Sequence, residues 1–423
     1  MFKLLYADEE GNLYEDPELS AAAWDGARTV PLARFDPIPL PEGADLMLLP
    51  GRRPVAWDAS SGRAVRDAGE RRGGGLYAVA AVLPAGFTRT GLPAYQAEKG
   101  ARRLPLYGYT AVGAGKGTLY VAALETDEAF KWNPALYNDP TLPGRIKDLR
   151  KRFPANRLVE HLARCALEYR CLTAQNLFYR RWEAGIPVAV GCNAACLGCI
   201  SLQKSECCPS SQERIAFVPS VAEVVELAVP HLEEAVEPIV SFGQGCEGEP
   251  LTQADVLAQS IREIRRRTGK GTINVNTNAG DTRAMARVIE AGLDSVRVSM
   301  ISAREEVYKA YHRPGGFTLD NVLASLAEAK RGGVYVSINL LVLPGLTDRD
   351  EEVDALDGLI GRGLVDMVQL RNLNIDPAYL FARLPGRKGE LLGIRELIRR
   401  LKAIPGLTVG NYTKEVSRNG IVR

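Results

Sequence analysis

Histidine is scarce in this chain, with three among 423 residues. A His-rich metal centre is therefore excluded, and thiolates are the ligands a metal would have to find. Neither sign of charge is in excess: Lys and Arg number 53 and Asp and Glu 51, a formal net charge of +2. Charge thus announces neither a large nucleic-acid footprint nor an acidic tail, although a locally basic face can sit inside a neutral total. Long apolar runs are missing too, and with them any segment of membrane-spanning length. The opening stretch "MFKLLYADEEGNLYED" turns acidic before the apolar core of a signal peptide can form. We therefore expect a cytoplasmic protein with no membrane partner, in a compartment where thiols stay reduced. Cysteine is absent before position 165 and after position 246; all eight fall at 165, 171, 192, 196, 199, 207, 208 and 246. A disulfide framework belongs to small secreted domains, so this concentration points to metal chemistry instead.

What is present suits a large packed core, at 46% hydrophobic and 25% charged residues. Residues 1–150 carry Pro- and Gly-rich punctuation between short β-type runs, and we expect an irregular β-rich domain there. "KLLYADEEGNLYED" reads as a hairpin around "EEGN". "YTAVGAGKGT" resembles a phosphate-binding loop only superficially. Thr110 and Gly117 stand where that loop needs Gly and Ser or Thr, so a hairpin turn is the better reading. Residues 151–184 read as a helical linker. From 185 to 380, short apolar strands alternate with helical segments, beginning at "PVAVG" and counting six strands. That alternation predicts an α/β fold, a partial (β/α)6 TIM-like barrel, followed by a C-terminal helix and tail over 381–423. In such folds chemistry sits at the C-terminal ends of the strands.

"GCNAACLGCISLQ" follows the first expected strand and holds Cys192, Cys196 and Cys199. A structural zinc site wants four ligands, and a fully ligated iron–sulfur cluster wants four thiolates. Three clustered thiolates leave one iron open to another ligand.

This spacing, after strand one of a six-strand β/α pattern, resembles the radical S-adenosylmethionine (SAM) superfamily over roughly residues 185–380. The resemblance implies a [4Fe–4S] cluster on Cys192, Cys196 and Cys199. It further implies SAM chelated by the open iron, reductive cleavage to a 5′-deoxyadenosyl radical, and an electron donor such as a ferredoxin or flavodoxin. The residue before the last cysteine is usually aromatic in the family, and here it is Gly198. In "FGQGCEGEPL", Gly248, Glu249 and Pro250 match the family's element that grips the SAM amino group, with Glu247 where a second glycine is common. "NVNTNAG" supplies Asn278 at the end of strand three, with Ala279 where the family often has Gly. Ser299 and Arg313 match positions near the SAM ribose and carboxylate, and the resemblance would set Gly345 in "LLVLPGLTD" beside the adenine. A plainer role stands beside each: Glu249 as a helix cap, Ser299 as a strand residue, Arg313 as a surface ion-pair partner.

Three readings stay open for the other cysteines. A second iron–sulfur cluster would draw on Cys165, Cys171, Cys207 or Cys208, and Cys246. Alternatively, Cys246 is catalytic, as a hydrogen-atom donor or nucleophile. Or all five pack as small hydrophobes. Gln369, Arg371, Asn372 and Asn374 close the sixth strand, either to read a polar or anionic substrate or to hold the barrel's edge against the N-terminal domain. Two function classes follow: a radical SAM enzyme on a small molecule, peptide or RNA, or a non-catalytic iron–sulfur protein for electron transfer or sensing.

Overall fold

The computed structural model describes residues 2–66, 68, 75–104, 106–128, 130–201 and 210–416. Its N-terminal third is antiparallel. The first expected hairpin pairs Lys3–Ala7 with Leu13–Trp24, Tyr6 opposite Tyr14. The Asp8 carboxylate sets its turn by accepting the Glu10 and Asn12 amides at 3.0 and 2.9 Å, the local bond that favours Asp in turns. Val112–Gly115 and Thr118–Val121 form a second hairpin around Lys116 and Gly117, at φ 50° and 75°. Two left-handed residues in succession are a hairpin turn's geometry, so Lys116 belongs to a turn. With shorter strands these hairpins build a twelve-stranded sheet.

Three helices lead to the second half: α1 (Leu142–Arg152), α2 (Arg157–Leu167) and α3 (Leu172–Tyr179). A curled parallel sheet follows, its strands adjacent in chain order: β1 (Arg181–Gly185), β2 (Val236–Phe242), β3 (Thr272–Thr277), β4 (Ser295–Met300), β5 (Tyr335–Val342), β6 (Met367–Asn372) and β7 (Thr408–Gly410). The helices between them are α4 (Val221–Glu234), α5 (Ala254–Arg267), α6 (Thr282–Glu290), α7 (Glu305–His312), α8 (Leu319–Arg331), α9 (Asp350–Ile360), α10 (Pro377–Phe381) and α11 (Ile394–Ala403). Every residue of β3 is buried, as expected of a parallel strand covered on both faces. Leu257, Ile261 and Ile264 of α5 pack into the same core as Ile273 and Val275 of β3.

Two boundaries differ from the sequence reading. The first strand is Arg181–Gly185, earlier than the apolar run "PVAVG". Pro187 has no amide to give a ladder, and the Val188 and Ala189 amides donate instead to the Glu247 carboxylate at 2.7 and 3.0 Å. The sheet also gains β7, which pairs with β6 from inside the expected C-terminal tail.

The N-terminal region covers the C-terminal ends of these strands. Leu49, Ala78, Tyr107 and Tyr109 share one core with Ile301, Leu343, Leu373 and Ile375 from the barrel. Arg89 is fully buried at this seam, donating to the Tyr107, Tyr109 and Leu373 carbonyls at 3.2, 3.1 and 2.8 Å. Three carbonyls on one guanidinium let a buried cation stand without a carboxylate beside it. Gly26 and Gly345 meet backbone to backbone: a Cβ on Gly345 would fall 2.4 Å from the Gly26 Cα. Among the described residues, no helix is long and apolar enough to cross a membrane.

Candidate functional site

The three-cysteine loop leaves the end of β1 and is clamped from two sides by backbone. On one side, the Gly248 and Glu249 amides donate to the Ala189 and Gly191 carbonyls at 2.7 and 2.8 Å. A Cβ on Gly248 would sit 1.8 Å from the Gly191 oxygen, so only glycine allows that approach. On the other, the end of α7 holds the loop: Leu197 donates to Tyr311 O at 3.0 Å, Ala195 to His312 O at 3.2 Å, and Gly315 to Asn193 O at 2.7 Å. The Asn278 side chain donates to Asn193 Oδ1 at 2.6 Å and ties the end of β3 to the loop.

Cys192 is exposed, while Cys196 and Cys199 are half-buried. Cys196 Sγ lies 3.4 Å from His312 Nδ1, and the Arg214 guanidinium approaches Cys199 Sγ at 3.9 Å. Burial, then the neighbouring Cys199 and Cys192, pushes the Cys196 thiol up to about 12. Burial also raises Cys192. The thiols are thus close enough to oppose each other's ionisation, which a cationic metal core would relieve. They are not among the described donor groups that fit within 4.8 Å as one ion's shell would. Thiols near one another but outside a single ion's shell suit a polynuclear cluster, in which each would bind a different iron. The donor set fits a [4Fe–4S] cluster with an open iron.

Gly198 has a structural cause. A Cβ there would stand 2.8 Å from the Tyr311 hydroxyl, and that hydroxyl takes the Gly198 amide. Tyr311 of α7 fills the space from the side, so no aromatic at 198 is needed.

The carboxylate of Glu249 is directed into the protein. It caps the turn Pro250–Gln253 through the Leu251 amide at 3.1 Å, accepts the Asn278 amide at 2.8 Å, and takes the Thr277 hydroxyl. Burial raises it to about 7. The capping role weighed in the sequence is therefore present, and the carboxylate's bonds are all internal. Glu247 is buried beside it, with the Val188, Ala189, Gly243 and Gln244 amides donating to it. The residue in the family's glycine position thus fastens the end of β1 to the turn after β2.

A cavity of about 610 Å³ lies between the cysteine loop and the N-terminal cover. Cys196 and Cys199 reach it from the loop, Asn276, Arg297, Ser299, Asn339 and Arg371 from the strands, and Val82–Phe87 with Gly108 from the cover. Arg297 donates to Gln369 Oε1 at 3.1 Å and lies 3.7 Å from the buried Glu183 carboxylate. Burial, then the charge of Arg297, lowers Arg371 to about 10, still cationic at neutral pH. Asn276 Nδ2, Arg297 Nε and Asn339 Oδ1 have no hydrogen-bond partner among the described residues. Buried groups of this kind each forfeit about 1–3 kcal/mol until something pairs with them.

Of the residues singled out from sequence, Ser299, Arg371, Asn372 and Asn374 line this cavity, and Gln369 is buried behind it. The Asn372 amide is engaged at the seam, accepting the Arg89 amide at 2.9 Å and donating to Phe87 O at 3.0 Å. Arg313 is exposed at the end of α7, and its carbonyl receives the Ala195 amide. Gly345 meets Gly26 of the cover, which accounts for its glycine without an adenine. Glu183, Arg297 and Asn339 were not foreseen. A signal existed for Arg297: an arginine inside the buried strand "SVRVSM", two residues before Ser299, must share its face.

Cys165 and Cys246 come together, and the Cys246 thiol, then His161, pull Cys165 down against the effect of burial. His161 Nε2 is 3.6 Å from Cys165 Sγ. Cys171 stays outside this group, bonded to the Thr173 hydroxyl at 3.2 Å. Cys207 and Cys208 lie outside the described residues.

Residues 186–356 match the radical SAM superfamily family model, the domain that the loop, the turn after β2 and the curled sheet had suggested. Curated relatives include a GTP 3',8-cyclase of Limosilactobacillus fermentum, 27% identical over 174 residues, covering 41% of this chain and 48% of that protein. GTP 3',8-cyclase 2 of Mycobacterium tuberculosis is 31% identical over 174 residues, covering 41% and 45%. The chain thus spans about half the length of the curated relatives it matches. A solved radical SAM methyltransferase from Sphaerobacter thermophilus aligns over 54% of this chain and 66% of its own, at 18% identity and a TM-score of 0.38.

Proposed function

Because the chain carries a radical SAM domain, we propose that it is a radical SAM enzyme whose substrate is a small, polar, anionic molecule held in the covered cavity. The observation that carries this reading is the cavity itself: Arg297 and Arg371 against the single carboxylate of Glu183 in its described lining, and three polar atoms unpaired among the described residues, beside the cysteine loop. A carrier of electrons alone would have no use for such a lining. The cluster with SAM would supply 5′-deoxyadenosyl radical chemistry when bound. Cys192, Cys196 and Cys199 would hold the cluster, and the Gly248–Pro250 turn and Ser299 would meet SAM. Arg297 and Arg371 would take the anionic group by charge-assisted hydrogen bonds. Asn339 and Asn276 would orient the rest, and the N-terminal cover would exclude water from the cavity. A low-potential donor such as a ferredoxin or flavodoxin would supply the electron.

The test is anaerobic reconstitution with iron and sulfide, then SAM and dithionite, with 5′-deoxyadenosine measured by chromatography. Formation of 5′-deoxyadenosine supports the enzyme reading; a reduced, fully loaded cluster that leaves SAM intact supports the electron-transfer alternative. Because the curated relatives are named GTP 3',8-cyclases, GTP is the first substrate to try. An increase in 5′-deoxyadenosine with GTP, lost in Arg371→Met, would place a nucleotide in the cavity.

A further inference from the structure

His161 and Cys165 stand four residues apart on α2, so their side chains share a face. Cys246 reaches them from the turn after β2. His161 Nε2 or Nδ1, Cys165 Sγ and Cys246 Sγ lie within 4.8 Å of one another. A tetrahedral ion with metal–sulfur bonds of about 2.3 Å and metal–nitrogen bonds of about 2.0 Å sets neighbouring N and S ligands about 3.5 Å apart. The observed separation of His161 Nε2 from Cys165 Sγ is 3.6 Å. The pair already has the edge length of such a site.

We propose that His161, Cys165 and Cys246 bind a single thiophilic divalent transition ion, of the zinc class, separate from the three-cysteine cluster. Mixed imidazole and thiolate donors select zinc or its neighbours over hard cations. A polynuclear cluster needs donors spread over several irons, whereas these three converge on one point. Both thiols are buried, and His161 is the ligand on the solvent side, lining a surface cavity of about 480 Å³ with Arg164, Tyr169 and Glu213. Arg164 does not stand free there, since it pairs with Glu168 and Glu213.

The ion would act on the site next door by tying α2 to the turn that carries Gly248 and Glu249. Cys246 is two residues from Gly248, whose amide clamps the cysteine loop. Its own carbonyl receives the Ile215 amide at 2.8 Å, next to Arg214, which approaches Cys199. One bound ion would thus brace the Gly248 side of the loop and the segment that carries Arg214.

The experiment uses the full chain carrying Cys192→Ala, Cys196→Ala and Cys199→Ala, purified anaerobically and shown folded by circular dichroism. Cobalt(II) is titrated as the probe. One equivalent should bind with the strong d–d absorption of a tetrahedral thiolate site, be displaced by zinc, and raise the melting temperature. His161→Ala or Cys246→Ala added to this background should weaken binding by more than about tenfold, while Cys171→Ala should not. His161 is half-exposed, so its removal is the variant that least disturbs folding. Failure to bind one equivalent, binding unaffected by either ligand deletion, or a sulfide-containing iron chromophore on these thiols would overturn the proposal. So would a Cys165–Cys246 disulfide in the freshly purified chain, found as a mass two hydrogens short. Because the cluster ligands are absent from this background, the result is independent of SAM chemistry.

Discussion

The two cysteine neighbourhoods of this protein are close in space yet built by opposite means. Cys192, Cys196 and Cys199 come from one short loop, and the protein's effort goes into holding that loop's backbone. The amides of Gly248 and Glu249 grip it from one side and the carbonyls at the end of α7 from the other. Cys165, Cys246 and His161 come from a helix and a distant turn, and the tertiary fold alone brings them together. The first neighbourhood is partly exposed with thiols raised by burial; the second is largely buried, and its two bonded thiols are driven apart, Cys165 down and Cys246 up. A local site needs its neighbours only for support, whereas a non-local one exists only once the barrel has closed.

The largest effect should come from removing the local thiols. Cys192→Ala, Cys196→Ala and Cys199→Ala together should take 5′-deoxyadenosine formation to background and remove all cluster iron. A bound ion retained at His161, Cys165 and Cys246 would show the two neighbourhoods to be independent, and its loss would merge them.

Gly248→Ala attacks the support instead of the ligands. A Cβ there overlaps the Gly191 oxygen at 1.8 Å, so the clamp must move. We expect a loss of about 3 kcal/mol or more, read by denaturant melts, with cluster iron retained poorly after desalting. Unchanged stability and iron would mean that the loop does not depend on this clamp.

Acid separates the scaffold from both neighbourhoods. His231 on α4 is buried, its Nε2 2.8 Å from Trp182 O, and burial lowers it from 6.5 to about 4. A base depressed in the folded state contributes stability that is full above pH 6.5 and lost as pH falls through about 4. That window holds roughly 3 kcal/mol. His231→Gln should flatten the acid limb of the stability curve in the cluster-free chain. An unaltered acid limb would assign acid sensitivity elsewhere.

The smallest change expected is at Tyr311→Phe. Removing the hydroxyl that takes the Gly198 amide should cost about 1 kcal/mol, with the ring still filling the space beside Gly198. A cluster lost entirely in this variant would give Tyr311 a larger part in the loop than its single bond implies.

What could be read from the sequence followed the same divide. The strand–helix alternation, the two hairpins and the three-cysteine loop are local patterns, and each appears in the structure. The first strand was set too late because the apolar run "PVAVG" looks like a strand, while its amides serve the Glu247 carboxylate. β7 was hidden because three residues in a tail carry no periodicity. The N-terminal cover, Asn372 at its seam and the approach of His161 to Cys246 depend on contacts between distant segments, which spacing along the chain does not encode. Arg371 and Asn372 were found because they end a strand, and Arg297 was not because it lies in the middle of one.

The meeting of Gly26 with Gly345 also constrains how this chain can diverge. Two backbones touch there with room for hydrogen alone, one from the cover and one from the rim of the barrel. A side chain at either position would lift the cover from the mouth, and enlarging the partner could only worsen the overlap. Neither site can therefore drift while the other compensates, unlike most packed pairs, where a larger residue can be matched by a smaller one. Among chains that keep this cover, the two glycines should persist or disappear together, so that their joint loss in an aligned sequence would mark a barrel whose mouth is open.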